Sequence, residues 1–162
     1  MTKTWKGLAL GALLPLLGGC GFTPLYAEPG LVPDLRAIEV HTPQGRTGAL
    51  LREELEDALA VRHDTPARYR LDVQIVDRRR PRGLQPDDTP TRYELRLDVT
   101  YTLTEVPGGR EILKRTKPVF VSADATDQPY AGIAAQQDSE QRAASEAADL
   151  IKTDVALALR RP

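Results

Sequence analysis

From Thr91 to Val106 (TRYELRLDVTYTLTEV) apolar and polar side chains alternate without a break. Tyr93, Leu95, Leu97, Val99, Tyr101 and Leu103 fall on one side; Arg92, Glu94, Arg96, Asp98, Thr100, Thr102 and Thr104 fall on the other. A period of two over this length predicts a β-strand with one buried and one wet face. Residues 68–78 (RYRLDVQIVDR) repeat the pattern, setting Tyr69, Leu71, Val73 and Ile75 against Arg70, Asp72 and Gln74. After the turn signal Pro107-Gly108-Gly109, residues 110–123 (REILKRTKPVFVSA) read as the returning strand of a hairpin. Pro118 has no N–H to give to a ladder, which places this strand at an edge or bulges it there.

Elsewhere the period is helical. In residues 46–62 (RTGALLREELEDALAVR), Leu51, Leu55, Ala58 and Leu59 share one side, with Arg52, Glu53, Glu56 and Asp57 around the rest. A long Ala-rich segment from about Tyr130 to Arg160 carries Ala144, Ala147, Ile151, Val155 and Ala158 as its stripe. Asp127 suits a cap, Pro129 a first turn, and Arg160 and Arg161 a C-terminus, while Gly132 weakens the first turns. A short strand is predicted at 35–41 (LRAIEVH), followed by a Pro-Gln-Gly turn. The order is β-α-β-β-β-α, an α+β fold, and its simplest packing lays both helices on the apolar face of one four-stranded sheet. The other sheet face is then a broad surface of Arg, Glu, Asp and Thr, which hydration alone would explain.

The first twenty residues follow neither pattern. Lys3 and Lys6 precede an apolar run, Leu8 to Leu17, and then Gly18 and Gly19. A charged start, a short apolar middle and small residues are the layout of a secretory signal peptide. The run is about half the ~20 residues that a spanning helix needs, and Pro15 interrupts it. Leu17-Gly18-Gly19-Cys20 resembles a bacterial lipobox, although Gly18 stands where Ala or Ser is commoner. That resemblance implies diacylglyceryl transfer to the Cys20 thiol and cleavage just before it. The competing reading is a free thiol near an ordinary cleavage site. Cys20 is the chain's single cysteine, so no internal disulfide can form. Residues 1–19 are thus read as a lipoprotein signal peptide, 20–33 as a lipidated, extended, proline-marked tether, and 34–162 as one α+β domain. Several acyl chains would make the anchor stable, since one gives only marginal membrane binding.

Composition narrows the function. The whole chain carries a net −1 and loses the positive charges of Lys3 and Lys6 on cleavage, so nucleic acid is not an expected partner. His41 and His63 stand alone, without a second ligand at metal spacing. Ser122, Ser139 and Ser145 lie in no nucleophile-elbow context, and Gly108-Gly109 belongs to the hairpin rather than to a phosphate loop. No catalytic residue, no metal and no cofactor beyond the covalent lipid is expected.

One basic cluster remains. Arg78, Arg79, Arg80 and Arg82 open the loop RPRGLQPDDTPTR, and Lys114, Arg115 and Lys117 lie on the last strand. Guanidinium groups suit phosphate bidentately, and in an envelope lipoprotein the obvious phosphate is a lipid head group, lipid A above all. These seven residues are the candidates for lipopolysaccharide contact. The alternative is a solvated loop whose Asp87 and Asp88 offset the arginines.

The lipobox, the following Cys20-Gly21-Phe22-Thr23-Pro24-Leu25-Tyr26 and the order of elements together resemble the LptE family of lipopolysaccharide-assembly lipoproteins. The resemblance implies a lipid-anchored protein on the periplasmic side of the outer membrane. It further implies that the protein plugs and helps assemble the LptD β-barrel, and binds lipopolysaccharide on its way to the surface. Gly21 also lacks the acidic character that in many enterobacterial lipoproteins means inner-membrane retention. Two other classes stay open at this point: a periplasmic lipid shuttle serving another transporter, which a deep apolar cavity would favour, and a lipoprotein enzyme of the envelope.

Overall fold

The computed structural model describes residues 30–86, 90–126 and 128–160. Seven elements follow one another: α1 (Leu31–Arg36), β1 (Ile38–His41), α2 (Arg46–Leu59), β2 (Tyr69–Leu84), β3 (Pro90–Glu105), β4 (Glu111–Asp124) and α3 (Pro129–Leu159). The four strands form one sheet in the order β1-β2-β3-β4, parallel between β1 and β2 and antiparallel thereafter. The helices cover one face, as the alternation in β2 and β3 requires. Leu71, Val73, Leu97, Val99, Tyr101, Leu103 and Val119 are buried beneath Leu51, Leu55 and Leu59 of α2 and Ala144, Ala147, Ile151 and Val155 of α3. Four buried alanines, Ala143, Ala144, Ala147 and Ala148, give α3 a thin face and bring its backbone close to its neighbours.

Four boundaries differ from the sequence reading. The tether assigned to 20–33 lies outside the described residues up to 29, and residues 31–33 are helical rather than extended. Leu31 and Leu35, one turn apart, bury the same face of α1. Asp34 is buried and ion-paired with Arg68, and Pro33 falls in the first turn, where its missing N–H breaks no helical bond. The predicted strand 35–41 therefore shortens to Ile38–His41. In α2 the helix stops at Leu59, not at 62. Ala60 turns left-handed (φ 52°, ψ 45°), its N–H bonds the Asp57 carbonyl at 2.9 Å, and the Val61 N–H bonds the Glu56 carbonyl at 2.9 Å. That is a Schellman closure, made here without the usual glycine.

The fourth difference matters most. Arg78, Arg79, Arg80 and Arg82 do not open a loop; β2 runs on through them to Leu84, paired with β3 back to Pro90. Pro81 is tolerated because β1 covers only Tyr69 to Asp72 of β2, so among the described residues β2 is itself an edge from Val73 onward. At the opposite edge, β4 carries Pro118 in unbroken register with Asp98, which fulfils the edge-strand expectation; the one register shift is at Leu103/Thr104. The β3–β4 turn has a cis Val106–Pro107 bond, with Gly108 and Gly109 at φ 132° and 69°. Pro129 occupies the first turn of α3 as expected, and Asp127 and Arg161 lie outside the described residues.

The molecule has two ends. One holds α1, the start of β2, the β3–β4 turn and the C-terminus of α3. The other holds the β2–β3 connection, the end of β4 and the start of α3. The 31 residues of α3 put these ends about 45 Å apart.

Candidate functional site

Strand parity divides the seven basic candidates between two faces. Arg79 shares its parity with Leu71 and Val73 and points toward the helices. Its guanidinium lies 4.4 Å from the centroid of the Tyr93 ring, and Nη1 donates to Oε1 of Gln136 on α3 at 2.8 Å. Arg115 and Lys117 have the same parity on β4, being paired with Tyr101 and Val99. Both reach Asp154 of α3: Arg115 Nη1 to Oδ1 at 3.2 Å, and Lys117 Nζ to Oδ2 at 2.7 Å. The Tyr101 hydroxyl donates to the same carboxylate from below.

This four-residue cluster is a clamp between helix and sheet. Burial alone would raise the pKa of Asp154, but the hydrogen bonds from Lys117 and Tyr101 and the charges of Lys117 and Arg115 outweigh it, leaving the carboxyl below its usual range. Tyr101 shifts the other way, chiefly through burial and then through its bond to Asp154.

Arg78, Arg80, Arg82 and Lys114 point to the uncovered face. Across that face the registers set out rows: Val76–Asp98–Pro118, then Arg78–Arg96–Phe120, then Arg80–Glu94–Ser122, then Arg82–Arg92–Asp124. Three of the five arginines in these rows are paired. Arg82 bonds Glu94 at 2.9 Å, Arg92 bonds Asp124 at 3.3 Å, and Arg96 bonds Asp98 at 2.7 Å. Arg78 and Arg80 have no carboxylate partner among the described residues. Two positions apart on one strand, they stand about 7 Å from each other. Lys114 sits opposite Thr102, three rows away from Arg78, or about 20 Å. The structure therefore brings Arg78, Arg80 and Arg82 together, adds Arg92 and Arg96 from β3, and leaves Arg79, Lys114, Arg115 and Lys117 elsewhere.

Exposed apolar side chains, not expected from the sequence, stand in the same rows on either side of the Arg96–Asp98 pair. Val76 and Phe120 are 52% and 50% exposed, and Pro118 is exposed beside Phe120. The signal was available: both Val76 and Phe120 stand at polar-parity positions of their strands. Arg96 stacks over Phe120 at 5.3 Å without hiding it.

Two open hollows flank the sheet. One, of about 540 Å3, follows the free side of β1 between Ile38, His41, Arg52, Glu56 and His63. The other, of about 560 Å3, lies between the end of β4 and the start of α3, with Arg92, Asp124, Asp138 and Arg142 on its rim. Among the described residues no three His, Cys, Asp or Glu side chains gather as a metal site, and no helix is long and apolar enough to cross a membrane.

The sequence model of the LptE lipopolysaccharide-assembly family matches residues 35–155, from α1 to the last turns of α3. The chain belongs to the LptE family. A Caulobacter crescentus CB15 protein described as a lipoprotein is 44% identical; the match covers 83% of this chain and 99% of that one, with a TM-score of 0.70. A minor lipoprotein from Acinetobacter baumannii shares the fold at 20% identity, over 77% of this chain and 96% of that one, with a TM-score of 0.60. No curated protein matches the sequence. As an LptE-family lipoprotein of the cell envelope, the protein takes part in lipopolysaccharide assembly; it is not an enzyme and uses no cofactor.

Proposed function

We propose that the protein is held by a lipid on Cys20 to the periplasmic side of the outer membrane. There it plugs and helps assemble an LptD-like β-barrel, and assists the insertion of lipopolysaccharide through that barrel. The observation that carries this reading is the uncovered sheet face. It is long, and many of its charges are neutralised in place by the Arg82–Glu94, Arg92–Asp124 and Arg96–Asp98 pairs, with Thr100 bonded to Thr116 at 2.9 Å. Such a face, polar over most of its length, suits the polar interior of a large barrel. A lipid anchor raises the local concentration of plug and barrel, so modest contacts suffice for a lasting complex. Arg78 and Arg80, which have no carboxylate partner among the described residues, are the members of the basic cluster proposed to meet lipopolysaccharide phosphates.

The test is affinity purification of the tagged, lipidated protein from detergent-solubilised outer membranes, with mass spectrometry of what accompanies it. A near-stoichiometric large β-barrel is the expected companion. Recovery of inner-membrane transporter subunits in its place, or of the protein alone, would overturn the plug reading.

A further inference from the structure

We propose that residues 22–26 (FTPLY), which lie outside the described residues, add a strand to the sheet along the outer side of β1, tying the Cys20 end of the chain to the edge of its own domain.

Hydrogen bonding fixes which way the backbone of β1 faces. The N–H groups of Arg68 and Tyr69 bond the Ala37 carbonyl at 2.8 and 3.2 Å, and the parallel register runs from Ile38–Tyr69 to His41–Asp72. Alternate residues of a parallel strand face the partner, so Ala37, Glu39 and His41 turn their backbone groups toward β2. Ile38 and Val40 turn theirs to the other side, where none of the described strands lies. Both are nonetheless buried, at 1% and 7% exposed. Buried N–H and C=O groups are nearly always hydrogen-bonded, and among the described residues no partner is bonded to these four.

Space and edge chemistry point the same way. The hollow of about 540 Å3 follows this side of β1, between α2 and residues 61–67, and leaves room for one more extended segment. The edge also lacks the device that closes the other two. Pro81 and Pro118 interrupt β2 and β4, whereas β1 (IEVH) has neither proline nor lysine.

Three properties fit the segment that leads into the fold. It is within reach: α1 is six residues, about 9 Å, and only Ala37 separates it from β1, while the four steps from Tyr26 to Gly30 span up to about 14 Å. Its proline has the right parity. In an extended chain Thr23 and Leu25 face opposite to Pro24, so both can offer N–H groups to Ile38 and Val40 while Pro24 lies on the outside. It is also apolar, and Phe22, Leu25 and Tyr26 suit a hollow walled in part by Val61 and Ala67. Paired in this way, only Cys20 and Gly21 remain free, so a lipid on Cys20 holds this edge of the domain within about 7 Å of the bilayer. The pairing itself does not depend on the lipid.

The test reads amide hydrogen exchange by NMR in the mature chain from residue 20 carrying Cys20→Ser. The amides of Ile38 and Val40 are expected to exchange about tenfold or more slowly in this parent than in its Thr23→Pro/Leu25→Pro variant, whose run of prolines has no N–H to offer. Glu39 and His41, bonded to β2, are expected to stay equally protected in both chains and report on folding. Nuclear Overhauser contacts between residues 23–25 and 38–40 are expected in the parent, and their absence overturns the proposal whether or not the variant folds. Equal exchange of Ile38 and Val40 in the two chains overturns it as well. Protection that rises with protein concentration in both assigns the edge to a second copy of the chain instead.

Discussion

Asp154 shows how one buried residue re-assigns three others. Lys117 and Arg115 look in sequence like free cations on a strand, yet both end on this carboxylate with Tyr101. Replacing Asp154 with Asn removes the charge while keeping the shape. It leaves two cations and a buried hydroxyl poorly matched, at an expected cost of about 1–3 kcal/mol in urea unfolding at neutral pH. The pH dependence has a definite sign. The folded pKa lies below the ordinary 3.8, so the carboxylate's contribution is present above that pH and disappears as pH falls through the folded value. Wild type and Asp154→Asn should therefore converge in stability in acid, below about pH 3.8. A gap that stayed constant with pH would mean that the clamp is not electrostatic.

At the scale of elements, backbone conformation sets the limits. Ala60 holds a left-handed backbone that costs a non-glycine residue roughly 1 kcal/mol. Ala60→Gly is expected to raise the melting temperature by a few degrees, with α2 still ending at Leu59. The opposite effect is built into Gly48, where a Cβ would come within 1.9 Å of the Pro43 carbonyl oxygen.

These positions also mark what could be read in advance. Period-two alternation revealed β2 and β3 because each has one dry and one wet face, and the spacing of Leu51, Leu55 and Leu59 revealed α2. The short α1 escaped because six residues give no period, and because Pro33 reads as extended when its neighbours' burial is unknown. The continuation of β2 through Arg82 escaped because four arginines and a proline resemble a loop. Only the pairing with β3, and the lack of β1 beside them, make them a strand. The candidate site was legible in residue type but not in grouping. Which arginines act together depends on strand parity and on which carboxylates lie opposite, and neither follows from proximity in sequence.

For the whole molecule, the arrangement of ends bears on the proposed anchor. The described chain begins at Gly30, beside α1, while Arg78 and Arg80 lie toward the opposite end. Cys20 is ten residues before Gly30, a reach of at most about 35 Å when fully extended. Cys20→Ser in the full-length chain is expected to move the protein from the membrane fraction to the soluble fraction after osmotic lysis, with its far-ultraviolet circular dichroism unchanged. Retention in washed membranes without the thiol would mean that something other than a covalent lipid holds it there.

The prolines on the two open margins of the sheet have a further consequence. Among the described residues, β2 beyond Asp72 and β4 along its whole outer side have no strand beside them, and Pro81 and Pro118 fall within those margins. A second strand trying to zip along either margin meets a position with no N–H to offer and stalls. Copies of this domain brought close together are thus hindered from zipping edge to edge into fibrils.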